Sequence, residues 1–263
     1  MKEAPAHEWK TYDDFAHGID TFRRPNISLS GTSMVLLFGN GSRLELEFLD
    51  DEKVRWVASG EISESGCTDP YDAVSVRSDA TFINLPLTSR DGEAITIAHS
   101  ARTGRAVITH TLLDDEKVEG VPQARQLFWA ATVDGETVSG EEPAESRDLI
   151  GMRNVYRYSP SHLYEHVYIS TQRYAWQCLE GVQRGHGDMD MSTVWKLDDG
   201  LYVFCFREFR ISVASVWLHD LGYGLNTTGI FLGLSAEGKS MHSRGGGYIY
   251  PLGNVRYPDA QPV

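Results

Sequence analysis

A chain of 263 residues is long enough to bury a substantial core without disulfide or metal staples. With 41% hydrophobic and 23% charged residues, and no apolar run near the roughly 18 residues that span a bilayer, it falls outside the disordered, collagenous and membrane-helix classes. A formal net charge of -13 argues against wrapping nucleic acid or anionic lipid, since both rely on Lys and Arg to neutralise phosphate.

The charge is unevenly placed. Residues 1–150 hold 14 Lys/Arg against 27 Asp/Glu, residues 151–263 hold 10 against 10, and the second part also holds 17 of the 28 Phe, Trp and Tyr. A neutral, aromatic-rich half is the better medium for a small apolar or ring-shaped ligand. Cys67, Cys178 and Cys205 are odd in number and widely spaced, which suggests free thiols. Met1 to Lys10 is polar, contains Pro5 and has no secretory apolar core, so a cytoplasmic location is expected.

In chain order, Thr11-Tyr12-Asp13-Asp14-Phe15 predicts one short N-terminal helix with a Thr cap and an acidic first turn. Ser33–Phe38 and Arg43–Leu49 flank Asn40-Gly41 and predict a hairpin with a type I′ turn. Strands follow at Lys53–Gly60, Ala73–Ser78, Ala80–Leu87, Ala94–His99 and Arg105–Leu112, then a turn at Pro122–Gln126. The second half continues with an extended Tyr156–Tyr168 stretch and strands at Tyr174–Leu179, Met189–Leu197, Leu201–Arg207, Ile211–Leu218, Thr228–Leu234 and Gly247–Pro251. Three consecutive strands from Ala80 to Leu112 resemble in order those from Leu201 to Leu234, which suggests an internal duplication of one β unit.

In the strand from Leu201, alternation sets Tyr202, Phe204, Phe206 and Glu208 on one face and Leu201, Val203, Cys205, Arg207 and Phe209 on the other. A carboxyl sharing a face with three aromatics would be held protonated by desolvation and could act as a general acid or base. Alternatively, Arg207 and Glu208 simply mark the strand leaving the core. His186, Asp188 and Asp190 would share a face if extended, a possible oxygen/nitrogen metal set, but Gly185 and Gly187 favour a loop and no metal is predicted. His186 then remains as an acid/base group at a barrel mouth. Tyr156, Tyr158, Tyr164, Tyr168 and Tyr174, with His162, His166 and Trp176, form a stripe that suits either a ligand cavity or ordinary packing. No phosphate-binding glycine motif and no Gly-x-Ser-x-Gly occurs.

Through Trp176-Gln177-Cys178-Leu179-Glu180-Gly181-Val182, Gly185-His186-Gly187-Asp188, Asp199-Gly200-Leu201-Tyr202 and Phe206-Arg207-Glu208-Phe209, the sequence resembles molybdenum cofactor biosynthesis protein F, the MoaF family. Phe38-Gly39-Asn40-Gly41 and the strand after it are similar to that family's N-terminal domain. The resemblance implies an all-β fold of two tandem lipocalin-like, calycin-type antiparallel β-barrels. Residues 1–140 would form the acidic first barrel, 141–160 a linker and 161–263 the aromatic-rich, ligand-binding barrel. The barrel type also resembles phenolic acid decarboxylases, and Arg207, Glu208 and the tyrosines supply similar residue types; that analogy is at the level of fold.

The expected function is binding of a small ring-containing molecule, a pterin by the family's name, with Tyr174, Trp176, Trp195, Tyr202, Phe204 and Phe206 as ligand-binding residues. The alternative is a cofactor-free lyase, isomerase or cyclase with Glu208, Arg207 and His186 as catalytic residues. A third reading is an interaction module whose aromatic surface docks a partner protein. No cofactor, nucleic acid or membrane partner is expected, and a homo-oligomer is compatible with all three.

Overall fold

In the computed structural model, which describes residues 9–60 and 65–263, the chain folds almost entirely as antiparallel strands. Met1–Glu8, most of the polar N-terminal stretch, lies outside the described residues. The one helix among the described residues, α1 (Tyr12–Ala16), begins after Thr11, the N-cap residue that the sequence predicts, whose N–H donates to the Asp14 carboxylate (2.9 Å). No helix among the described residues is long and apolar enough to cross a membrane.

The first nine strands are β1 (Ser33–Phe38), β2 (Arg43–Phe48), β3 (Lys53–Ser59), β4 (Ser65–Pro70), β5 (Asp72–Arg77), β6 (Ala80–Pro86), β7 (Glu93–Ser100), β8 (Arg105–Leu113) and β9 (Ala124–Val133). They pair in the order β4-β3-β2-β1-β9-β8-β7-β6-β5. Only Tyr71 separates β4 from β5, so these two act as one bent strand and the sheet curls into an up-and-down barrel. The second nine are β10 (Ala144–Glu145), β11 (Met152–Ser159), β12 (His162–Tyr168), β13 (Arg173–Glu180), β14 (Gly187–Asp198), β15 (Leu201–Arg207), β16 (Val213–Asp220), β17 (Asn226–Leu234) and β18 (Ser240–Asn254). Here β14 is unbroken: its first half pairs with β13, its second with β15, and the barrel closes. The segment expected as a linker carries β10 and β11.

Three features differ from the sequence reading. The first hairpin is present, but only Gly41 has positive φ (+85°), so Asn40 does not enter a type I′ turn; Phe38 N–H instead bonds Ser42 O (3.0 Å) across a three-residue loop. β4 lacks apolar signal because it reads Ser-Gly-Cys-Thr-Asp-Pro. β9 cuts into the turn expected at Pro122–Gln126; its alternation is masked because Phe128 faces the second barrel while Trp129 packs toward its own.

The two barrels have the same strand order, and their registers superpose. Leu36 pairs with Leu44 and Leu46 with Trp56 in the first; Tyr156 pairs with Tyr164 and His166 with Trp176 in the second. A buried indole–carboxylate bond recurs: Trp56 Nε1 to Asp69 Oδ2 (2.8 Å) and Trp176 Nε1 to Asp190 Oδ2 (2.8 Å). In each copy that aspartate also accepts a backbone N–H just past the next strand, from Thr88 (2.8 Å) and Phe209 (3.1 Å).

The interiors differ. The first is filled mostly by aliphatic side chains such as Leu36, Leu46, Ile83, Leu85, Leu87 and Ile97. The second is filled by aromatics. A third apolar cluster joins the barrels: Val76, Phe82 and Val107 of the first meet Leu201, Val203, Cys205 and Val216 of the second. Both faces of β15 are therefore apolar for two different reasons, one lining its own barrel and one lying against its neighbour.

Candidate functional site

One end of the second barrel holds a cavity of about 40 Å³, lined by Tyr158, Tyr164, His166, Tyr174, Trp176, Gln183, Phe206, Glu208, Trp217 and Phe231. The period-2 rule carries the tyrosine stripe inward: Tyr156 and Tyr158 on β11, Tyr164, His166 and Tyr168 on β12, and Tyr174 and Trp176 on β13 all point to the interior. Trp217 on β16 reaches across because the paired Gly229 and Gly245 leave space; a Cβ at Gly245 would sit 2.6 Å from the end of the indole, and one at Gly229 would collide with its ring.

The mouth is closed by the N-terminal segment. Phe15 packs on Phe231 (5.3 Å between ring centres), Tyr12 OH donates to Phe231 O (3.3 Å) and Ile19 completes the plug. Trp9 sets its edge against Trp176 and lies 5.0 Å from the His186 ring. At about 40 Å³ the cavity has room for little more than water, so a larger guest requires lining side chains such as Phe15 and Ile19 to move.

Several polar groups face this space without partners. Among the described residues the buried Trp217 Nε1 and His166 Nδ1 have no hydrogen-bond partner, and the half-buried Glu208 carboxyl accepts no hydrogen bond from the protein. Desolvation, reinforced by the nearby Asp190 and Asp188 carboxyls, raises Glu208 well above the ordinary carboxylate range. Asp190 is pushed up to about 6 by burial, against the pull of its Trp176 and Phe209 bonds. His166 is driven down to about 3 by burial and stays neutral. Below the cavity runs a buried chain: Asn154 Nδ2 donates to Tyr156 OH (3.3 Å), Tyr156 and Tyr168 share a bond (2.6 Å), Tyr168 meets His219 Nε2 (3.4 Å), and His219 Nδ1 meets Thr227 Oγ1 (2.7 Å).

Of the residues singled out in the sequence, Glu208, Tyr174, Trp176 and Phe206 line the cavity together. Phe204 lies beneath, stacked on His219. Tyr202 also points inward, but at the opposite end of β15 from Glu208, with its hydroxyl on Asp148 (2.9 Å). Arg207 and Trp195 lie outside: Arg207 donates to Gln126 Oε1 and Thr193 Oγ1 (both 3.0 Å), and Trp195 stacks on Phe128 of the first barrel. His186 packs on Trp9 outside the cavity. The His186, Asp188, Asp190 set does not converge, since Asp188 pairs with Arg210 (2.5 Å) and Asp190 is engaged by Trp176. Among the described residues no His/Cys/Asp/Glu group is arranged to hold a metal. Sequence reasoning missed Trp217, Phe231, Gln183, Phe15 and Ile19. The two paired strand glycines opposite Trp217 were the available signal for the first.

Residues 7–115 match the MoaF N-terminal domain and residues 143–255 the MoaF C-terminal domain. Protein MoaF of Klebsiella aerogenes is 32% identical over 196 residues, covering 69% of this chain and 70% of that protein. A crystal structure from Burkholderia vietnamiensis, described as a candidate beta-lactamase, overlaps 41% of this chain and 100% of that chain at a TM-score of 0.34 and 14% identity. The DNA polymerase III beta chain of Streptococcus pneumoniae TIGR4 overlaps 86% and 58% at a TM-score of 0.13 and 9% identity. Neither structural likeness is close enough to carry an argument. Both domain matches and the extent of the Klebsiella match place the chain in one group: it belongs to the MoaF family.

Proposed function

We propose that the second barrel binds a small ring-containing molecule in the cavity around Glu208, in the cytoplasm, while the first barrel serves as its packed support. The observation that carries this reading is the exchange of side chains at matched register. Where the first barrel has Leu36, Leu44, Leu46, Val54, Leu87 and Ile97, the second has Tyr156, Tyr164, His166, Tyr174, Glu208 and Trp217. A fold that closes well over aliphatics gains nothing in packing from unpartnered polar atoms, so their presence favours a ligand. The molybdenum cofactor association in the family's name puts a pterin first among the rings to try.

Native mass spectrometry of the purified protein is expected to reveal a copurifying ring compound, and pterins or simple aromatics to quench the fluorescence of Trp176 or Trp217. Protein free of any small molecule, whose fluorescence none of these compounds alters, would overturn the reading. The raised pKa of Glu208 favours a second reading, general acid catalysis by a lyase, isomerase or cyclase without cofactor. Under it, Glu208→Gln abolishes turnover of the copurified compound while still binding it.

A further inference from the structure

The ring-binding reading leaves the charge of the ligand open, and the cavity wall speaks to it. We infer that the ligand of the second barrel is a base, whose amine or amidine nitrogen is seated as a cation against Glu208 and the aromatic faces around it. The inference rests on the ring-binding reading and adds the ligand's charge.

The half-buried Glu208 differs from the buried carboxyls of the fold. Asp69, Asp72, Glu165, Asp190, Asp198 and Asp220 each accept hydrogen bonds from side chains or backbone N–H groups; Glu208, among the described residues, accepts none. The fold does not call for a carboxyl there, because Leu87 fills the matching place in the first barrel. Among the described residues no Lys or Arg lines the cavity, and Lys117, which acts on Glu208 from outside that lining, donates to Arg210 O (2.6 Å), so an anionic ligand would face Glu208 with Asp188 and Asp190 behind it. Tyr158 and Trp217 lie with ring centres 4.9 Å apart, Tyr174 and Phe206 5.3 Å apart, and such clustered faces attract a desolvated cation.

Seating the cation is coupled to a proton. The groups facing Glu208 are Asp188 and Asp190 from β14, Tyr164 from β12, Tyr174 from β13 and, from the loop after β8, Lys117. Desolvation, Asp190 and Asp188 raise its pKa in the empty site, against the pull of Lys117. An ammonium seated beside Glu208 lowers that pKa again, so the proton the carboxyl holds leaves to the buffer and a carboxylate–ammonium pair remains.

Three probes of one shape test this on the full chain: 2-phenylethylamine as cation, 2-phenylethanol as neutral ring and phenylacetate as anion. Each is titrated calorimetrically in two buffers of different ionisation enthalpy, with tryptophan fluorescence in parallel, and again in Phe15→Ala so that a closed plug cannot mask binding. The amine is expected to bind about tenfold or more tighter than the alcohol, to release protons, and phenylacetate to bind worst. Glu208→Gln and Glu208→Leu, the latter borrowing the first barrel's residue, are expected to erase both the amine preference and the proton release while the alcohol still binds. If the alcohol binds as well as the amine, or the preference survives in both variants, the inference falls and the ring-binding reading stands. If none of the three binds even with the mouth opened, both fall.

Discussion

Two interior residues set opposite pH dependences. His166, held near 3 in the fold, titrates near 6.5 when unfolded; as pH falls through that interval the unfolded chain takes up a proton that the native barrel refuses, so stability drops on acidification. His166→Leu, which installs the residue at the matching position of the first barrel, is expected to flatten this acid limb in urea denaturation run between about pH 6.5 and pH 4. Glu208 acts in the other sense. Its folded pKa lies above the unfolded value, so the native state keeps a proton that the unfolded chain releases, and stability is lost as pH rises from about 4.3 toward that folded value. Glu208→Leu is therefore expected to stabilise the protein at neutral pH by about 1–3 kcal/mol, with little gain at about pH 4. An unchanged urea midpoint at pH 7 would count against a desolvated, unpartnered Glu208 carboxyl.

At the scale of elements, α1 and the turn after it are held to the second barrel by the buried Tyr12, Phe15 and Ile19 side chains and by bonds of Tyr12 OH to Phe231 O (3.3 Å), of Phe15 O with His162 Nε2 (3.1 Å), of Ala236 N–H to Asp13 (3.1 Å) and of Phe22 N–H to Tyr158 O (3.0 Å). A short segment outside the strand ladders opens locally at less cost than the sheets it covers. Phe15→Ala is expected to speed amide exchange across Thr11–Phe22 while β12, β13 and β16 stay protected; exchange rising equally in those strands would mean that the segment is part of the core. The sequence made the helix legible through the Thr11 cap and the acidic first turn, but nothing local says which barrel it covers. The same limit explains Arg207 and Trp195. Alternation assigns a side chain to one side of a sheet, and correctly separated Glu208 from Arg207, yet it is silent on whether the far side meets solvent or a second barrel. Trp217 escaped notice because its cavity depends on Gly229 and Gly245, which reach it only through strand pairing.

At the scale of the whole molecule, the barrels share an apolar seam ringed by polar bonds such as Asn226 Nδ2 to Val76 O (3.1 Å) and the Asp198 carboxylate with Ser100 and Arg102. A seam of this composition couples the two unfolding reactions. Urea denaturation is expected to show one transition for the native chain, and Val203→Asp, which buries an unpaired charge at the seam, to split it into two and destabilise by about 3 kcal/mol or more. A single transition retained in the variant would show that the barrels do not depend on the seam. The plug has a further consequence for how the protein is made. Thr11–Phe22 is made before both barrels, whereas Phe231, its seat, lies on β17, and the barrel around that seat is complete only once β18 has emerged and paired with β11. Docking thus waits until β18 has been made, so during synthesis the second barrel is built with its mouth open and is then closed by a segment that preceded it.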